Sequence, residues 1–249
     1  MHNHETVFKA NKEYYNIAAQ NYFKNESYAY TPEIKDNVKK LLKIAADHAP
    51  QKSLFLDYGC GSGFLSSIVA EHYIMEGGLG VDASESQIKL YNANLAGTNF
   101  KAEVGDIKCM RFGNNTFDMA GGYSVLHHLF NYYEVINEIT RVLKPGGVLY
   151  IDFEPNHLFK ILFKLPIAIR RLFFDQSPVE GNLENVAEYH NNYQPGICRK
   201  NLTTFLSRDY KIIEMGHRIP ATECMDILKK LSQLSFIFSP CFYVLAKKK

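Results

Sequence analysis

Residues 56–64 read Leu56-Asp57-Tyr58-Gly59-Cys60-Gly61-Ser62-Gly63-Phe64, three alternating glycines that follow the apolar run SLFLDY and open the helical pattern FLSSIVAEHYIM. Glycine in every second position of a strand-to-helix turn means that backbone must come close to something. A dinucleotide fold wants G-x-G-x-x-G, whose third glycine lets helix and strand pack tightly beside a pyrophosphate at the helix N-terminus. Here Phe64 holds that position. The alternating pattern instead suits a ligand without a pyrophosphate, its ribose and amino-acid parts lying over the loop. A plain tight turn is the competing structural reading.

Acidic residues recur in register with the loop. Asp82 ends the run GLGVD 23 residues after Gly59, and Asp106 ends VGD 24 residues later. A carboxylate in the first place can accept both ribose hydroxyls, and one in the second lies where an adenine amino group would sit. A lone Asp is more often a cap or turn former. Three signals on successive βα units make a stronger pattern.

Outward from this core the punctuation is βαβαβ. The runs SLFLDYG, GLGVD and NFKAEV alternate with helical stretches, followed by TFDMAGGY, the helical YYEVINEITRVL, and GVLYIDF. Lys144-Pro145-Gly146-Gly147 supplies the Pro and Gly of a type II turn before the last of these. Such alternation predicts a parallel sheet with helices on both faces. Two helices, near 5–22 and 32–48, precede it, with Thr31 as a cap and Pro32 in the first turn. Beyond 155 the chain is less regular. A basic, apolar stretch covers 157–174 and a polar loop 175–196; a helix near 199–207, the strand YKIIEMGH, a helix near 223–231 and the strand CFYVLAK follow.

Composition bounds the function. The 249 residues are 46% hydrophobic and 22% charged, ordinary for a folded globular chain. A net charge of +2 is too near neutral for bulk attraction to nucleic acid, although the basic excess is C-terminal. Five scattered cysteines without a C-x-x-C pair suggest neither a disulfide framework nor a zinc site. With no signal-like N-terminus and no stretch of about 18 apolar residues, the expected setting is the cytoplasm.

The motifs together resemble the class I S-adenosylmethionine-dependent methyltransferases, especially the group that includes the ubiquinone and menaquinone enzymes. LDYGCGSGFLS is similar to their first motif, GVDASESQIKLYNAN to the ribose motif, VGDIKCMRFGNNTFDMAGGYSVLHHL to the adenine and post-strand-four motifs, and ITRVLKPGGVLYI to the fifth. The resemblance covers residues 53–153. It implies a Rossmann-like α/β fold, a seven-stranded, mostly parallel sheet with an antiparallel last strand, and a helical cap over residues 1–50. Residues 51–154 would form the core, 155–208 a substrate-chamber insertion and 209–249 the end of the sheet. It implies S-adenosyl-L-methionine as cofactor, S-adenosyl-L-homocysteine as product, and cofactor contacts from Asp57, Gly59, Gly61, Gly63, Asp82, Ala83, Asp106, Ile107 and Tyr123.

Tyr15 and Tyr22, in an opening similar to the family's Tyr-x-x-Ala-x-x-Tyr, share one helix face and suit a sulfonium cation and a methionine carboxylate. Simple packing of an aromatic helix is the alternative. His127 and His128 follow strand four at the sheet's carboxyl edge. Neighbours on a helical turn point ~100° apart, so one should face the substrate. His127 is the candidate for removing a substrate proton, and His128 for an architectural or cofactor-orienting place.

In the insertion, Lys160, Lys164 and Arg171 form a narrow basic stripe among Leu158, Phe159, Ile161, Leu162, Phe163, Ile167, Leu172 and Phe173. The readings are a lid or ordinary core, peripheral contact with an acidic membrane or lipid substrate, and a dimer interface. The expected partner is a small methyl acceptor, apolar or with an apolar tail, and no nucleic acid. A nicotinamide oxidoreductase and a non-catalytic cofactor-binding module are the rival functions.

Overall fold

The computed structural model describes residues 2–19, 30–50, 53–73, 75–162, 182–194, 196–219, 231 and 235–249. Seven strands form one sheet: β1 (Ser53–Tyr58), β2 (Met75–Asp82), β3 (Phe100–Val104), β4 (Phe117–Tyr123), β5 (Leu143–Pro155), β6 (Tyr210–Arg218) and β7 (Cys241–Lys248), in the order β3-β2-β1-β4-β5-β7-β6. β1 to β5 pair in parallel, and β7 runs antiparallel between β5 and β6. The expected architecture is therefore present.

The central strands are apolar on both sides because both sides are covered. Every residue of β4 is buried. Adjacent strand residues point to opposite faces: Leu56, Ala120 and Leu149 join one core with Ile136 and Ile139, whereas Phe55, Met119 and Val148 join another with Val38, Leu42 and Ile68. The covering helices among the described residues are α1 (His4–Ala18), α2 (Pro32–His48), α3 (Phe64–His72), α4 (Glu85–Asn94), α5 (Tyr132–Val142), α6 (His157–Leu162), α7 (Asn182–Ala187), α8 (Tyr189–Asn192) and α9 (Arg199–Leu206). Their starts follow local chemistry. Thr31 Oγ1 accepts the Ile34 N–H before Pro32 opens α2, and Ser84 and Asn131 cap α4 and α5.

Three expectations change. The helix expected through FLSSIVAEHYIM stops at His72, and Met75 already belongs to β2, because the strand must start there to pair with Ser53. The polar loop 175–196 is, over its described part, helical: α7 packs on α1, with Ala187 fully buried beside Tyr14 and Ala18, and α8 packs on α7 and on residues 126–128. A polar composition hid this because the apolar contribution of α7 to the contact is small, coming from Leu183 and Ala187. The first helix ends at Ala18 rather than 22. Tyr22, Lys164, Arg171, Phe163, Ile167, Leu172, Phe173 and nearly all of the helix expected near 223–231 lie outside the described residues.

With β1 paired to β2 on one side and β4 on the other, the chain switches direction across the sheet between β1 and β4. Open α/β sheets leave a crevice at such a point, beyond the strands' carboxyl ends. Helix α1 lies over it.

Candidate active site

The crevice encloses about 1020 Å³, partly open to solvent. Its floor is the glycine loop. Gly59, Gly61 and Gly63 have φ of 64°, 49° and 95°, a region that costs other residues about 1–2 kcal/mol. A side chain at Gly59 would lie 2.6 Å from Val125 Cγ1, so this glycine lets β1 and the β4 turn meet. At Gly61 the nearest atom is 3.9 Å away, which leaves its backbone bare toward the crevice. Gly63 faces the other way. A Cβ there would meet Tyr91 and Leu95 at 3.0 and 3.1 Å, and the residue does not line the crevice, so its place is helix packing rather than the cofactor contact that was expected.

Asp82 both lines the crevice and holds the loop. Its Oδ2 accepts the Gly61 N–H at 2.9 Å and its Oδ1 accepts the Ser84 N–H at 2.9 Å, so lone pairs remain on each oxygen. Burial pushes its carboxyl above the usual range. Asp57 lines the floor, accepting from Ser66 N and Oγ at 3.1 and 2.7 Å. Ala83, Asp106, Ile107 and Tyr123 also line the crevice. Asp106 faces His4, its Oδ2 2.9 Å from Nε2, while Oδ1 accepts the Lys108 N–H. Tyr123 packs with Phe64, Tyr30 and Phe153, giving the crevice an aromatic side.

Helix α1 supplies the roof through His4, Val7, Phe8, Asn11 and Tyr15. It is tied down by residues that sequence reasoning missed. Asn16 Oδ1 accepts Ser84 Oγ–H and Ser86 N–H at 2.8 and 3.0 Å, and Asn11 Nδ2 donates to the His128 carbonyl at 2.9 Å. Tyr15 does face the site, its hydroxyl 3.0 Å from His128 Nε2.

The two histidines exchange their expected places. His128 lines the crevice, whereas His127 is buried behind it with Nδ1 2.9 Å from Glu154 Oε2. Glu154 is fully buried and accepts the N–H groups of Val125, Leu126 and His127 at 2.9, 2.8 and 3.1 Å. One carboxylate thus clamps the whole 3-10 turn Leu126–His128 that presents the pair. Burial, with His128 second, drives the His127 pKa well below its usual value. Nothing in DFEP marked Glu154, because its partners come from backbone 27 to 29 residues away.

Gln87 was also missed. It is 2% exposed, lines the crevice, and its Oε1 has no hydrogen-bond partner. A buried acceptor left unpaired costs about 1–3 kcal/mol. A donor on a bound molecule beside Gly61 would satisfy it.

Residues 56–151 match the family described as methyltransferase domain. This stretch is similar to a methyltransferase domain. Trans-aconitate 2-methyltransferase of Rhizobium rhizogenes is 29% identical over 109 residues, 41% of this chain and 41% of that protein. Ubiquinone biosynthesis O-methyltransferase of Coxiella burnetii is 32% identical over 99 residues, 39% of this chain and 42% of that one. The chain thus spans about two fifths of the length of these relatives. Among solved structures, an S-adenosylmethionine-dependent methyltransferase from Mesorhizobium loti aligns with a TM-score of 0.58 at 16% identity, covering 86% of this chain and 99% of that one, which shows the shared fold. The glycine loop, Asp82, Asp106 and the histidine pair all fall within the matched stretch, whereas α1 and α7 lie outside it.

The crevice floor carries a pH signature. Burial pushes the Asp57 carboxyl up to about 7, against which the Ser66 hydrogen bonds work. An acid whose folded pKa exceeds its unfolded value of 3.8 holds more protons when folded, so stability falls as pH rises through the interval from about 4 to about 7. Relative to Asp57→Asn, the wild-type chain is expected to lose ~1 kcal/mol between pH 6 and pH 7. Urea unfolding of both at the two pH values measures it; parallel curves would place Asp57 in water.

Proposed function

We propose that the chain transfers the methyl group of S-adenosyl-L-methionine to an O, N or C nucleophile of a small acceptor, leaving S-adenosyl-L-homocysteine. The observation that carries this reading is the orphaned Gln87 Oε1 beside the bare Gly61 backbone and the Asp82 carboxylate, an arrangement of acceptors and open backbone fit for a nucleoside with donors to offer. Asp82 would hold the ribose hydroxyls, Asp106 and Ile107 the adenine, and the Gly59–Gly61 backbone with Asp57 the methionine end.

The cofactor supplies a sulfonium methyl group open to in-line attack. The chain's own work is placement. The aromatic side formed by Tyr30, Phe64 and Tyr123 suits a sulfonium through cation–π attraction, and α1 excludes water from above. Holding nucleophile and methyl carbon in line supplies several kcal/mol of barrier reduction. His128, rather than His127, borders the acceptor's space.

An apolar acceptor is the favoured class. Val7, Phe8, Leu129 and Phe130 line the crevice, and Leu158, Ile161 and Leu162 of α6 stand 48%, 54% and 49% exposed. Among the described residues no helix is long and apolar enough to cross a membrane, so contact with a lipid phase would be peripheral. Incubation with methyl-labelled S-adenosylmethionine and fractionated lysate tests the reading: label should enter the lipid extract, and label only in a highly polar fraction would overturn the apolar acceptor.

The two glycines separate binding from packing. Gly61→Ala is expected to weaken S-adenosylhomocysteine at least tenfold by crowding the bare backbone. Gly63→Ala should lower stability by ~1–2 kcal/mol through its left-handed φ and the Tyr91 contact, leaving the affinity of the folded protein unchanged. Calorimetry and thermal unfolding of both variants read the two effects, and equal affinity losses would return Gly63 to the ligand.

A further inference from the structure

At the crevice wall, where His128 lines the opening and His127 lies behind it, one nitrogen of each histidine and one carboxylate oxygen of Glu188 lie within 4.8 Å of one another. Glu188 sits where α7 meets α8, outside the stretch similar to a methyltransferase domain, and reaches back to both rings: Oε2 is 3.7 Å from His127 Nε2, and Oε1 is 3.4 Å from His128 Nδ1. The rings themselves have centroids 3.9 Å apart.

The hydrogen bonds around this cluster point to a metal. His127 donates from Nδ1 to the buried Glu154 carboxylate at 2.9 Å, which leaves a lone pair at Nε2. That nitrogen lies 3.7 Å from Glu188 Oε2, while Glu188 Oε1 accepts from the Tyr15 hydroxyl at 3.4 Å. A histidine bonded through its far nitrogen to a carboxylate is the orientation that metal-binding imidazoles take in proteins. His128 is oriented as well, with the Ala187 carbonyl 3.1 Å from Nδ1 and the Tyr15 hydroxyl 3.0 Å from Nε2. Binding through His128 would exchange one of these hydrogen bonds for a metal bond. Around zinc, with bonds of about 2.0–2.1 Å, tetrahedral ligand atoms stand roughly 3.4 Å apart; the two Glu188 contacts, one from each oxygen, are close to that, and the span of up to 4.8 Å across the three ligand atoms must contract by about an ångström as one oxygen turns inward.

We propose that His127, His128 and Glu188 form a binding site for a divalent cation of the zinc class, with Glu154 as its orienting carboxylate and its fourth position open toward the crevice for an oxygen of the methyl acceptor. Two imidazoles and a carboxylate plus one open position is a ligand set of catalytic rather than structural zinc. The site joins the turn after β4 to the α7–α8 insertion and sets the acceptor's oxygen beside His128. Only the acceptor's part rests on the methyl-transfer reading; the metal site stands on the side chains alone.

Cobalt(II) is the probe, since its visible bands report coordination. The metal-stripped, untagged full chain titrated with Co2+ is expected to show one site per chain with the intense bands of four- or five-coordination, bleached by one equivalent of Zn2+. Glu188→Gln and His127→Gln should each weaken Co2+ at least 100-fold, Glu154→Gln about 10–100-fold, and His48→Gln not at all, with circular dichroism confirming the fold of each. Absence of a saturable site, or full-strength binding in both Glu188→Gln and His127→Gln, overturns the proposal. Calorimetry with S-adenosylhomocysteine on the same samples keeps the two readings apart: a chain that binds Co2+ but not the adenosyl compound retains the metal site and loses the methyl-transfer reading.

Discussion

Asp152→Asn is expected to destabilise the protein by about 3–5 kcal/mol, because it leaves a buried guanidinium without its counter-charge. Asp152 is fully buried at the end of β5. It accepts Arg218 Nε at 2.8 and 3.0 Å and Nη2 at 2.8 Å, together with the Tyr150 hydroxyl and the Phe153 N–H. Arg218, 6% exposed, has little access to water that would soften the loss. For a chain of this size each kcal/mol moves Tm by about 2–4 °C, so a fall on the order of 6–20 °C is expected. Arg218→Met combined with Asp152→Asn should recover much of it, since removing both charges leaves neither stranded. A fall of less than ~1 kcal/mol in the single variant would mean that Arg218 is solvated.

The pair matters to the site because of where it sits. The β5–β7 register slips between Ile151 and Glu154, and Phe153 in that gap has φ of 61°. Bulges of this kind re-aim side chains at sheet ends. This one turns Glu154 under the histidine turn, while the Asp152 carbonyl accepts the N–H of Ser124, itself at φ 61°. The buried ion pair pins that backbone. Asp152→Asn in its folded fraction should therefore loosen the His127–His128 turn as well as lower Tm.

Asp82→Ala is expected to weaken S-adenosylhomocysteine by ~1.5–3 kcal/mol, a factor of roughly 10 to 150. The carboxylate would accept the ribose hydroxyls, and it already orders the loop through Gly61 and Ser84. Calorimetry on the folded variant measures the loss. Unchanged affinity would place the ribose elsewhere and leave Asp82 as a loop brace alone.

The parts of this protein that were legible in its sequence are those whose chemistry is local. Alternating glycines, Asp82 at the end of β2, Asp106 just beyond β3 and the Lys144-Pro145-Gly146-Gly147 turn announce themselves within a few residues, and Gly146 has φ of 77° as a type II turn needs. The seven-stranded, mostly parallel sheet with its antiparallel last strand followed from the family resemblance. What stayed hidden depends on distance. Glu154 works on backbone that another strand delivers, Gln87 is notable only because burial leaves its oxygen unpaired, and Asn16 acts by spanning from α1 to α4. The choice between His127 and His128 went the wrong way because a 3-10 turn, not an α-helix, carries them, and its buried capping carboxylate claims the first ring. Likewise the helices over 182–192 gave no periodic signal, being four and six residues long.

The most direct measurement is isothermal calorimetry of the purified chain with S-adenosylhomocysteine, S-adenosylmethionine and NAD. One equivalent of either adenosyl compound should bind with micromolar-scale affinity and NAD should not compete. Tight NAD binding with no response to either adenosyl compound would contradict the methyl-transfer reading and hand the crevice to a dinucleotide.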